Sequence, residues 1–226
     1  MIMTHNYRQI VSSDYAINLN SHIIDRVNHT NFLGVTIDEH LSWKIHITKV
    51  SGKLSRMCGI LLRARQVLYG HTLISLYDAL VKPHLIYCNV LWGNSYKTPL
   101  YKLHLMQKRI LRIITFSEFH AHTRPIFINY DIMSVKFLSK YLSAIFVYKS
   151  INMKLPLTFC SLFTRNITSR TSCDLRIPFH RHKKTEHSIL ISGPRIWNKL
   201  TKLCKQSSSL HIFKKRLRRL LSIEFN

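Results

Sequence analysis

The sequence predicts a mainly α-helical chain with a small N-terminal β element and a basic, partly irregular C-terminal region. Three observations carry this. From Leu41 onward, apolar residues recur at three- and four-residue steps. Alternating and β-branched runs are confined to the stretch before Leu41. Lys and Arg outnumber Asp and Glu by 34 to 10 over 226 residues, and the excess rises from +9 in residues 1–113 to +15 in residues 114–226. At 46% apolar and 11% aromatic, the chain can build a core, as one substantial domain or two small ones. With only 6 Gly and 6 Pro, it is neither collagen-like nor a flexible linker nor a Gly-rich phosphate loop.

The β element comes first. Tyr15-Ala-Ile-Asn-Leu-Asn alternates in polarity, Asn20-Ser21 is turn-like, and His22-Ile-Ile-Asp-Arg-Val resumes an extended pattern. Asn31-Phe-Leu-Gly-Val-Thr-Ile-Asp reads as a third strand with a bulge or close approach at Gly34. A long helix follows from Leu41, with Ile47, Val50, Leu54, Met57, Leu61 and Leu68 as its inner stripe and Lys49, Lys53, Arg56 and Arg63 outside. Leu73, Leu76, Tyr77 and Leu80 make a second helix that Pro83 ends or kinks. Thr98-Pro99 reads as an N-cap and first-turn proline for a helix through Ile114, with Leu100, Leu103, Met106, Ile110 and Ile114 inward and Lys102, Lys108, Arg109 and Arg112 outward. A fourth helix is expected from Asp131 to Lys149 on Val135, Leu138, Leu142 and Ile145. Residues 152–195, punctuated by Pro156, Pro178 and Pro194, read as loops or short strands. Helical spacing returns from Ser209 to Ile223, where Lys214, Lys215, Arg216, Arg218 and Arg219 interleave with Leu210, Phe213, Leu217, Leu220 and Leu221.

A net charge of +24, with 14 His in addition, makes nucleic acid the leading partner and an anionic membrane surface the second. The first residues lack the apolar stretch of a secretory signal, and Leu73 to Trp92 is interrupted by Asp78, Lys82, Pro83 and His84, so the expectation is an intracellular protein, nuclear or cytoplasmic, with no membrane span. The 5 Cys are scattered and form no Cys-x-x-Cys pair, so neither a disulfide framework nor a zinc ribbon is indicated. His120, His122, Cys173, His180, His182 and His187 match no zinc-module spacing and lie among cations. Two-metal chemistry needs clustered carboxylates, yet only Asp38 and Glu39 are neighbours, and their place before a helix suits capping. No nucleophile elbow or phosphate-binding loop occurs. Neither a catalytic residue nor a metal or cofactor site is expected. Trp43, Trp92 and Trp197 are expected to pack rather than stack on bases.

Phe32-Leu-Gly-Val-Thr-Ile-Asp-Glu-His-Leu-Ser-Trp, Leu80-Val-Lys-Pro-His-Leu-Ile-Tyr-Cys-Asn-Val-Leu-Trp-Gly and Leu105-Met-Gln-Lys-Arg-Ile-Leu-Arg-Ile-Ile stand in order along the chain. Thr168-Ser-Arg-Thr, Gly193-Pro-Arg-Ile-Trp-Asn-Lys-Leu and Ser209-Leu-His-Ile-Phe-Lys-Lys-Arg-Leu follow. Together they resemble the region downstream of the catalytic palm in reverse transcriptases of non-LTR retrotransposons, especially jockey-like LINE elements. The resemblance implies the end of a palm-like hairpin in residues 1–40, with Phe32, Leu33 and Gly34 primer-grip-like. It further implies a helical, thumb-like domain in residues 41–115 that holds template–primer duplex, and a basic region in residues 116–226 ending in an amphipathic helix. Partners would be RNA, DNA or RNA–DNA hybrid, and the catalytic part of the same element. The family's paired, Mg²⁺-binding aspartates lie upstream of the Phe-Leu-Gly block, and no such pair precedes Phe32. A C-terminal fragment that binds nucleic acid without polymerising is therefore expected. Its alternatives are a basic module for an acidic partner or membrane surface, and a functionless transposon remnant.

Overall fold

In a computed structural model, residues 17–20, 22–24, 27–166, 173–182 and 184–223 are described. Tyr15, Ala16, Ser21, Asp25, Arg26 and the Thr168–Thr171 block lie outside them. The mainly helical architecture with a small N-terminal β element is as the sequence predicts. Strands β1 (Ile17–Leu19) and β2 (His22–Ile24) pair antiparallel, with Asn20 at φ 47° in the turn.

The third β-rich run is not one bulged strand. It contributes to a hairpin of β3 (His29–Phe32) and β4 (Val35–Asp38), with Phe32 opposite Val35. Two residues close that register, and Leu33 and Gly34 both take the positive φ (47° and 79°) that a type I′ turn requires. Gly adopts this freely; a leucine there is strained by about 1 kcal/mol. Leu33→Asn should raise stability by about that amount in urea titration, and an unchanged or lowered midpoint would contradict the strain. The tip is tied down by Tyr87, whose hydroxyl donates to the Leu33 carbonyl at 2.5 Å.

Helix α1 (Lys44–Ala64) ends before Leu68 and begins later than the apolar stripe implied; the late start comes with left-handed conformations at Leu41 and Trp43. The cause is Asp38. Its buried carboxylate accepts from the backbone N–H of His40 (3.2 Å), Ser42 (2.9 Å) and Trp43 (2.9 Å), gathering the chain into a turn before the helix starts. Pro83 sits in the first turn of α3 (Lys82–Ile86), just after α2 (His71–Leu80), where its missing N–H leaves no gap in the ladder. After α4 (Asn89–Trp92), helix α5 (Lys97–Ile114) is preceded by an extended Tyr96, so Thr98 and Pro99 lie inside the first turn rather than capping it. Asp131 follows α6 (Arg124–Asn129) with φ 49°, which delays α7 (Val135–Ile151) until Ser134.

The described part of residues 152–195 holds more helix than expected. It contains α8 (Leu157–Cys160), a 3-10 turn at Thr185–His187 and most of α9 (Ile189–Asn198). Pro194 lies inside α9 and removes one ladder bond. The helix survives because the Ser188 hydroxyl caps it, Ile191 and Trp197 are buried, and the Asn198 amide clamps the backbone of Leu175 through two hydrogen bonds of 2.8 and 2.9 Å. Gly193 permits the approach to α7: a Cβ there would stand 2.9 Å from Val147 Cγ2. Helices α10 (Lys202–Lys205) and α11 (Leu210–Ile223) complete the chain.

Two cores result. One joins the inner faces of α1, α2, α3 and α5 with Trp92 and the start of α7; the other joins the second half of α7 with Trp197, Cys204, Phe213 and Leu217. Helix α7 belongs to both, which is why it is buried well beyond a single stripe, with Ser139, Ser143 and Ser150 among its hidden residues. Trp92 and Trp197 are buried, and their indole N–H groups donate to the carbonyls of Tyr87 (3.0 Å) and Cys173 (2.8 Å). No helix among the described residues is long and apolar enough to cross a membrane.

Candidate nucleic-acid interface

The outer face of α1 carries Lys49, Lys53, Arg56 and Arg63, all exposed. At 3.6 residues per turn they fall within about 80° around the axis and span about 21 Å along it. The exposed Ile60 lies in the same row, and no hydrogen bond or ion pair among the described residues engages the four cations. His84, from α3, stands close enough to Lys53 and Arg56 for both to depress its pKa. Such a row can pair with successive phosphates of one strand.

The cations of α5 diverge. Lys108 lines a cavity between α5, α6 and the start of α7, whereas Arg109 reaches the α1 side near Cys58. Arg112 donates through Nε to the Ala121 carbonyl at 2.9 Å, so it holds the loop after its own helix. Exposed Lys102 completes the outer face.

Helix α11 divides as well. Arg218 is paired with Asp131, Nε to Oδ1 at 2.9 Å and a guanidinium nitrogen to Oδ2 at 2.7 Å. Arg216 donates to the Leu203 carbonyl and, at 3.3 Å, to the Ser207 hydroxyl. These two flank the buried stripe and fasten the helix. Lys214, Lys215 and Arg219 stay exposed, with no hydrogen bond or ion pair among the described residues. At the hairpin tip, Phe32 (62%) and Leu33 (75%) are largely exposed, and Gly34 faces the Tyr87 ring.

Acids do little to offset this charge. Asp78 pairs with Lys82 (2.8 Å), Asp174 with Lys205 (2.6 Å) and Glu186 with Arg195 (2.6 Å), and Asp38 serves backbone N–H groups. The Arg195 guanidinium holds the Glu186 carboxyl below its usual range. No group of three or more His, Cys, Asp or Glu side chains among the described residues converges as metal ligands would. The described cysteines are free thiols, and burial pushes Cys204 up to about 11.

His46, His84 and His104 all titrate below the ordinary imidazole value, through burial first and then neighbouring cations: Lys53 and Lys49 for His46, Lys108 and Lys136 for His104. Unfolding restores the ordinary value, so the unfolded chain binds more protons. The stability these histidines contribute is complete above about pH 6.5 and is lost as pH falls below it, until the folded imidazoles charge too. Urea midpoints should fall on acidification from about pH 7 to about pH 5.5. His46→Gln, which can still accept the Thr36 N–H bonded to His46 Nδ1 at 3.3 Å, should flatten that fall. An unchanged slope in the variant would contradict the assignment.

About half of the chain is similar to a segment of curated reverse transcriptases. Its relatives are RNA-directed DNA polymerases from the mobile element jockey: 27% identity over 114 residues with the protein of Drosophila funebris and 26% over 114 residues with that of Drosophila melanogaster. Each match covers 49% of this chain and 12% of the relative's length. No family model and no solved structure matches.

Proposed function

We propose that this chain grips template–primer nucleic acid as part of a LINE-type reverse transcriptase. Residues 1–40 end in a primer-grip-like hairpin, residues 41–115 act as the thumb, and residues 116–226 form a second basic region. The observation that carries the reading is the α1 row: four cations on one stripe, none engaged by a described acid, over a length that passes about six phosphates of one strand. Lys214, Lys215 and Arg219 provide a second contact. Similarity to jockey polymerases makes an RNA–DNA hybrid the natural ligand. Asp38, Asp78, Asp131, Asp174 and Glu186 are engaged in turns and ion pairs, and the role this reading gives the chain is grip. Acetylation footprinting by mass spectrometry tests the assignment: a bound hybrid should protect Lys49 and Lys53 while leaving Lys82, paired with Asp78, unchanged. Unprotected Lys49 and Lys53 in a saturated complex would overturn it.

A further inference from the structure

A cavity of about 950 Å³ lies between the start of α5, α6 and the start of α7. Lys97, Lys108, Arg124, Lys136 and Lys140 line it, and no acid does. These five cations come from three helices and are not the α1 row. Aromatic rings share the walls: Tyr101 is 59% exposed at the rim, and His104 stacks on Phe127 with ring centroids 6.0 Å apart. Phe137 lies under the Lys136 and Lys140 ammonium groups at 5.8 and 5.3 Å. His104 Nδ1 is buried without a hydrogen-bond partner among the described residues.

Cations alone would accept any polyanion. Rings beside them narrow the ligand, because unpaired bases stack on aromatic faces while their phosphates pair with nearby lysines. A base inside a duplex keeps its faces covered and cannot use the cavity. The volume falls in the range of about 300–1,000 Å³ typical of ligand sites. We propose that this cleft is a site for unpaired nucleotides of a single-stranded nucleic acid, with Tyr101 and His104 as the stacking surface and Lys97 and Lys136 on the flanking phosphates. The assignment rests on the nucleic-acid-binding reading above and names a second site, for single strand, beside the duplex grip of α1.

The test compares, on the full chain, a blunt RNA–DNA hybrid with the same hybrid carrying a single-stranded oligo(U) extension, by fluorescence anisotropy. The extension should tighten binding, and Tyr101→Ala or Lys136→Ala should remove about fivefold or more of that gain while leaving the blunt hybrid unaffected. Both side chains are exposed, so neither change empties the core, and Tyr101→Phe should restore the gain. Blunt-hybrid binding with no gain from the extension would overturn the cleft alone. So would equal losses on both ligands in Tyr101→Ala, or displacement of the extension from the cleft by an acidic peptide as readily as by free oligo(U). Failure to bind either hybrid would overturn the duplex grip itself, and the cleft with it.

Discussion

Gln107→Leu is expected to destabilise the chain by about 4 kcal/mol, a large share of the 5–15 kcal/mol typical of a folded domain. Gln107 is fully buried on α5, and each of its polar groups is used. Nε2 donates to the Tyr77 hydroxyl and to the Met133 carbonyl, both at 2.9 Å, while Oε1 accepts the Val135 N–H at 3.0 Å. One side chain thus joins α2, α5 and the first residue of α7. Leucine fits the volume but orphans two buried groups and one half-buried carbonyl, at about 1–3 kcal/mol each. The Tyr77 phenol, pushed up to about 12 chiefly by burial, keeps its proton and cannot compensate by ionising. Adding Tyr77→Phe should recover about 1 kcal/mol, because one orphan is removed with its partner. Urea melts with an unchanged m-value measure both steps; a loss below about 1 kcal/mol in the single variant would mean the clamp is dispensable.

Lys53→Ala with Arg56→Ala should weaken hybrid binding about tenfold at low salt and leave stability unchanged, since both side chains are exposed on the outer stripe of α1. Each phosphate contact releases counterions, so removing two should make the slope of log affinity against log salt shallower by about 2. A matched control is Lys82→Ala, whose ammonium is held by Asp78 at 2.8 Å and has little left for a phosphate. Equal losses in the control and the double variant would assign binding to net charge rather than to a surface of defined geometry.

Much of this was legible in the sequence where information is local. The apolar stripe of α1 shows its inner face at three- and four-residue steps, and the complementary row of cations follows without tertiary knowledge. The start of that helix was not legible, because Asp38 reaches forward to Ser42 and Trp43 and holds them out of the helix. Helix α9 was obscured by Gly193 and Pro194, which read as breakers but here allow close packing on Val147 within a helix anchored from outside. On α11 all five cations look alike in sequence, and only the fold brings Asp131, 87 positions away, to claim Arg218. The cleft is hidden in the sequence for the same reason. Of its five cations only Lys108 lies on a helix face that the sequence shows as basic; the i, i+4 pairs Lys97–Tyr101 and Lys136–Lys140 are a faint signal until α5 and α7 face each other across the cavity.

The most direct test of the account is the ionic-strength dependence of hybrid affinity for the unaltered chain. A grip through the four α1 cations and the exposed cations of α11 predicts a linear fall of log affinity with log salt, with a slope of about −4 to −6. A slope near zero, with binding that persists as salt rises, would contradict the phosphate grip on which the account depends.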